Sequence, residues 1–216
     1  MQNEYLPWRR VVRSLEQRQT LQSLHTHFTL KLTDIQWYGR WWTLITPAFS
    51  HMQVGHAVGN LVAFMEFSQM LLAAGIHPAH YGALILGSAV SGHLAFLTHV
   101  SWRRATPWWW TLLPLAPRVE PCALGLSGVV TGLGVALALA APNATATTTV
   151  VVLSNGRTSL PAWGLIVLYL IYDTARLDDL SSEFGYVACL GGAAFGAVFY
   201  FFELRGRNAL PFVWRL

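Results

Sequence analysis

The run PCALGLSGVVTGLGVALALAA, residues 121–141, decides how this chain folds. It carries no charge and, at roughly 20 residues, is long enough to cross the hydrocarbon core of a bilayer as one helix. Its mouth reads Gly125-Leu126-Ser127-Gly128, and a hydroxyl flanked by glycines is an unusual thing to place there. Glycine lets a neighbouring helix or a substrate backbone come close, and a helix N-terminus offers N–H groups to a developing oxyanion. The stretch therefore reads as serine-hydrolase chemistry set in lipid. It also admits a plain packing reading, because Gly128 and Gly132 form a GxxxG pair of the kind that lets membrane helices touch. Distant residues have to decide between the two.

Composition agrees with a membrane setting. Of 216 residues 54% are hydrophobic and only 11% charged, with a mean hydropathy of +0.41, too apolar and too poor in charge for an ordinary soluble domain. Ten tryptophans and seven tyrosines suit aromatic belts at the two water interfaces. The net charge of +4 speaks to orientation in the bilayer, and nothing here calls for nucleic acid. Cys122 and Cys189 lie in or beside apolar runs without metal-ligand spacing, so neither a zinc site nor a disulfide framework is implied. No cofactor is expected.

Working outward, five apolar spans are predicted, at about 54–75, 79–100, 121–141, 160–172 and 184–202, forming an all-α, polytopic helical bundle. A basic segment over residues 1–40 precedes a membrane domain over 41–203, and a short basic tail covers 204–216. Residues 1–36 contain no apolar run and read as neither span nor signal peptide; their arginines resemble a mitochondrial transit peptide, against which stand Glu4 and Glu16. Gly75-Ile76-His77-Pro78 reads as a tight turn between antiparallel helices. Residues 103–117, with Trp108-Trp109-Trp110, read as a loop in the headgroup plane. The threonine-rich 145–153 stretch reads as a small strand or re-entrant turn. With five spans, ten of the Lys and Arg residues fall on the N-terminal side (six through Arg40, then Arg103, Arg104, Arg118 and Arg176) and Arg157, Arg205, Arg207 and Arg215 on the other. The N-terminal side should then face cytosol or mitochondrial matrix.

Polar residues gather at the mouth of the first span. Ser50-His51 precedes it, and His56 and Asn60, four apart, stand on one helix face. Both can donate hydrogen bonds to an anionic intermediate, and both can equally act as helix-to-helix glue. His93 and His99 read as structural, and Glu66 has no evident partner. Gly192 and Gly196 in the last span form a second GxxxG face, a natural partner for Gly128 and Gly132, which would bring Cys189 beside Ser127. The polar groups sit toward one side and form no continuous path, which disfavours a channel.

Taken together, these residues resemble the rhomboid family of intramembrane serine proteases. Trp42-Thr43-Leu44-Ile45-Thr46-Pro47-Ala48-Phe49-Ser50-His51, followed by His56 and Asn60, resembles the family's first loop and second core helix. Leu124-Gly125-Leu126-Ser127-Gly128 resembles its GxSG nucleophile motif, and Leu190-Gly191-Gly192-Ala193 with Phe195-Gly196 its last helix. Asp173-Thr174-Ala175 is similar to the mitochondrial presenilin-associated rhomboid-like branch. The resemblance implies Ser127 as nucleophile, with Gly125 and Gly128 around it, and His56, Asn60 and the Ser127 N–H as oxyanion stabilisers. It implies hydrolysis of transmembrane segments of membrane-protein substrates within the bilayer, without metal or cofactor, and a location in the mitochondrial inner membrane.

Two departures stand out. The resemblance implies a histidine base where this chain has Cys189, and a serine hydroxyl is a poor nucleophile until a base accepts its proton; a thiol in apolar surroundings stays neutral. The resemblance also implies six core spans where five are visible, so the sequence is expected to start downstream of a first core helix. Two functions therefore stand side by side: an intramembrane serine endopeptidase with an impaired base, and a silent protein that binds transmembrane clients without cutting them.

Overall fold

The structure is a computed structural model and describes residues 15–104, 120–146, 160–176, 185–206 and 209–213. The expected tryptophan loop lies mostly outside the described residues, as do 147–159 of the threonine-rich stretch and the arginines at 9, 10 and 13.

Two short helices come first, α1 (Leu15–Phe28) and α2 (Leu32–Tyr38), followed by two 3₁₀ turns at Trp41–Leu44 and Thr46–Phe49. Five further helices follow: α3 (Val54–Ala73), α4 (Pro78–Arg104), α5 (Ser127–Ala140), α6 (Ala162–Ala175) and α7 (Tyr186–Phe199). The last continues as a π-helical turn, Tyr200–Leu204. A two-residue antiparallel pair, β1 (Thr145–Ala146) with β2 (Leu160–Pro161), joins α5 to α6. The small strand anticipated near 145 is this pair.

Helix α5 is the axis of the bundle. It touches α3, α4, α6 and α7, and its residues from Gly128 to Leu137 are all buried, as an all-round apolar helix requires. Phe67 and Leu71 of α3, Leu84 of α4, and Leu133 and Leu137 of α5 close the core without exposed surface. Outward faces remain apolar: Leu61 of α3, Leu168 and Ile171 of α6 and Phe202 beyond α7 are more than half exposed. Such faces suit lipid and not water. Helix α4 and the α7 segment through Leu204 are each long and apolar enough to cross a membrane.

The two small-residue stripes meet. A Cβ on Gly192 would run into the Gly128 carbonyl, and one on Gly196 into the Gly132 carbonyl, so α5 and α7 pack backbone against backbone. Thr131 locks the same seam, its hydroxyl donating to the Cys189 carbonyl at 2.8 Å. On the other side of α7, Ser91 of α4 donates to the Gly191 carbonyl at 2.9 Å.

The sequence placed the start of the third span at 121, and the structure places it at Ser127. Residues 121–126 are not helical, and Ala123 among them pairs with Leu30 in both directions, at 2.9 and 3.0 Å. Gly125 then turns the chain at φ +119°, a region that side chains other than glycine's rarely occupy. Its N–H is spent on the Pro47 carbonyl at 2.8 Å. Ser127 is thus the first residue of α5 and not a residue inside it.

Candidate active site

The site forms where five helix ends lie on one side of the bundle: the starts of α3, α5 and α7 and the finishes of α4 and α6. Exposed Trp37, Trp41 and Trp102 ring the same side, as interfacial tryptophans do. The N-terminal arm frames it. Thr33 grips the Glu120 carboxylate through its N–H at 3.0 Å and through its hydroxyl at 2.5 Å, and Ser50 donates to the Phe28 carbonyl at 2.6 Å. Asp34 is buried and answered by Arg40 at 2.6 Å.

Ser127 is half-buried at the N-terminus of α5. The first bond of that helix runs from the Val130 N–H to the Leu126 carbonyl at 3.0 Å. The N–H groups of Ser127, Gly128 and Val129 precede it, and point out of the helix end as oxyanion donors require. The Cys189 side chain lies close to both the Ser127 side chain and the Asp173 carboxylate at the end of α6. Cys189 is therefore the residue beside Ser127, because the glycine seam sets α5 and α7 in that register.

His56 and Asn60 rise from the first turns of α3 on the face that meets this helix end. The approach is also close at Gly125, where a Cβ would lie 3.3 Å from His56 Cε1. Asn60 is buried, and its Nδ2 lies 3.2 Å from His51 Nε2. The Leu126 N–H donates to that same Nε2, also at 3.2 Å. The His51 and His56 rings meet edge to face at 5.4 Å.

His51 is the residue that the sequence showed without assigning it work. A backbone N–H can only donate, so Nε2 of His51 is the unprotonated nitrogen and the proton sits on Nδ1. Asn60 must then turn its NH2 toward that nitrogen, which fixes the amide orientation through the hydrogen-bond network. One imidazole lone pair thereby holds the Gly125–Ser127 turn and the Asn60 donor together. Burial pushes the His51 pKa below its ordinary 6.5. The sign follows: the neutral ring is favoured by the fold, so its contribution is complete above 6.5 and is lost as pH falls from there through the lowered value. Nitrogen NMR of the His51 ring should report the Nδ1–H tautomer at neutral pH, with protonation and faster exchange at the Leu126 amide setting in together on acidification; a ring already charged at neutral pH would contradict the arrangement.

Each of the other residues expected at the site, Ser127, His56, Asn60, Gly125, Gly128 and Cys189, lies at this end of the bundle. His93 is buried in α4, where its Nδ1 lies 2.7 Å from the Leu44 carbonyl, tying the first loop to the bundle. Asp173 joins the site although the sequence offered it only as part of a branch resemblance. Its one signal was an acid at the end of an apolar run. Among the described residues no group of three or more His, Cys, Asp and Glu side chains could hold a metal ion.

Comparison with known proteins follows the same outline. The profile of the Rhomboid domain matches residues 38–206. The chain is 29% identical over 187 residues to RHOMBOID-like protein 12, mitochondrial, of Arabidopsis thaliana, a match covering 86% of this chain and 53% of that protein. The chain thus spans about half the length of that relative.

Proposed function

We propose that this chain, which belongs to the rhomboid family, is a slow intramembrane serine endopeptidase that hydrolyses peptide bonds in transmembrane segments of membrane proteins. The observation that carries the reading is the bond from the Leu126 N–H, one residue before Ser127, to His51 Nε2, a nitrogen shared with Asn60 and on a ring that meets His56. Ser127 Oγ attacks the scissile carbonyl carbon, and the oxyanion is received by the Ser127 N–H with His56 and Asn60. Collapse breaks the C–N bond, and water then hydrolyses the acyl-serine. Helix α5 has 14 residues, about 21 Å at 1.5 Å per residue, against roughly 30 Å of hydrocarbon. A helix of that length leaves at least one end below the membrane surface, and this reading puts the Ser127 end there, where a substrate helix can present its backbone.

The turnover is slow because a neutral thiol at position 189 is a poor proton acceptor. That same substitution favours the second reading, a protein that binds transmembrane clients and leaves them whole. A mitochondrial inner-membrane location, with the N-terminal side in the matrix, is supported by the mitochondrial relative and by the excess of Lys and Arg on that side.

The test is cleavage of a tagged single-span protein by the purified chain in lipid vesicles. Native protein should cut within the span, and Ser127→Ala should reduce the rate to background. Cleavage that survives Ser127→Ala would remove the serine mechanism, and intact substrate that co-purifies with the native chain would favour client binding.

A further inference from the structure

Two carboxylates are buried among the described residues, and they differ in one respect. Asp34 meets Arg40, whereas Asp173, 5% exposed, has no ion pair among the described residues. It lies close to the Cys189 side chain, and its Oδ2 is buried without a hydrogen-bond partner among the described residues. Burying a carboxylate oxygen with nothing to answer it is costly, and such groups in folded proteins call for a reason. It also lies at the one place in the molecule where a proton acceptor is chemically required. The Cys189 side chain neighbours both Ser127 and Asp173, so the proposed nucleophile and this carboxylate stand on either side of a single sulfur atom.

We infer that Asp173 is the proton acceptor for Ser127, and that a water molecule beside the Cys189 sulfur carries the proton between them. This rests on the endopeptidase reading above. The thiol is smaller than an imidazole, and a hydrolytic water must reach half-buried Ser127 in any case. As the Ser127 Oγ–C bond forms, the hydroxyl proton passes to the water and a water proton passes to Asp173 Oδ2; the carbonyl electron pair moves onto the oxygen. On collapse the C–N bond breaks and the proton returns from Asp173 through the water to the leaving nitrogen. In the second half a water attacks the acyl-serine, giving its proton to Asp173, and the regenerated Ser127 hydroxyl takes it back. No electrons change hands. The neutral thiol spaces the two groups and neither gains nor loses a proton.

The experiment uses the full chain in phosphatidylcholine vesicles with a tagged single-span substrate, comparing native protein with Asp173→Asn, Asp173→Glu, Cys189→His and the Cys189→His/Asp173→Asn double variant. Asp173→Asn should lower the native rate by about 100-fold or more with unchanged helicity and thermal unfolding, and Asp173→Glu should recover part of it. The double variant should lose far less relative to Cys189→His, because an imidazole then does the accepting. Native-level cleavage by Asp173→Asn overturns the inference. If Asp173→Asn does not fold, the acid limb of the pH–rate profile decides: it should shift on Asp173→Glu, and a limb that stays put overturns the assignment. A native chain that never cuts while Cys189→His does cut also overturns it and leaves the family site intact. Silence from both would bring down the endopeptidase reading itself.

Discussion

Cys189→His is expected to raise Ser127-dependent cleavage by about 10²–10⁴-fold, the range that a well-placed general base supplies. The position is right because the side chain of residue 189 lies close to that of Ser127, and the α5–α7 seam holds that register. An imidazole there would find Asp173 on its far side, with an unanswered Oδ2 able to accept its second N–H and so fix its tautomer. Vesicle cleavage with Ser127→Ala as background measures the gain. A folded Cys189→His protein no faster than native would mean that residue 189 does not face the reacting proton.

Gly192→Leu should have the largest structural effect of any single substitution in the seam. The new side chain would meet the Gly128 backbone carbonyl, and a carbonyl inside a helix cannot rotate aside as a flexible side chain can. Overpacking of this kind costs about 3 kcal/mol, and more where the obstacle is main chain. The helices must part, which separates Cys189 from Ser127 and breaks the bond from Thr131 to the Cys189 carbonyl. Gly82→Ala is the control, since a Cβ there meets nothing within 4 Å; it should be neutral or stabilising by up to about 1 kcal/mol. Thermal unfolding in detergent micelles should separate the two variants widely, and equal midpoints would contradict the close-packed seam.

Much of this architecture was legible in the residues, for identifiable reasons. Membrane-length apolar runs and small-residue stripes are local and periodic, so the five bundle helices and the Gly128/Gly132 contact with Gly192/Gly196 could be read from spacing alone. His56 and Asn60 could be paired because a spacing of four puts them on one helix face. The start of α5 could not be read, since Pro121 to Leu126 is as apolar as the helix it precedes. What unwinds it is the pairing of Ala123 with Leu30, a contact between segments far apart in sequence. His51 escaped for a related reason: its work is to join Leu126 to Asn60, and only the fold brings those two groups to one nitrogen. Asp173 escaped because its importance depends on a buried Oδ2 without a partner among the described residues, which no spacing reveals.

The central claim is that Ser127 is a nucleophile held at a working oxyanion site. A fluorophosphonate tests it most directly, because the reagent reacts only with a serine whose hydroxyl can be deprotonated and whose oxyanion donors are in place. Intact mass and peptide mapping of the Cys189→His protein should find one phosphonyl adduct, on Ser127, absent in the Ser127→Ala form and formed more slowly when Asn60 is Ala. The native chain should give the same adduct at a lower rate. A folded Cys189→His protein without an adduct at Ser127, or with one on another serine, would contradict the account.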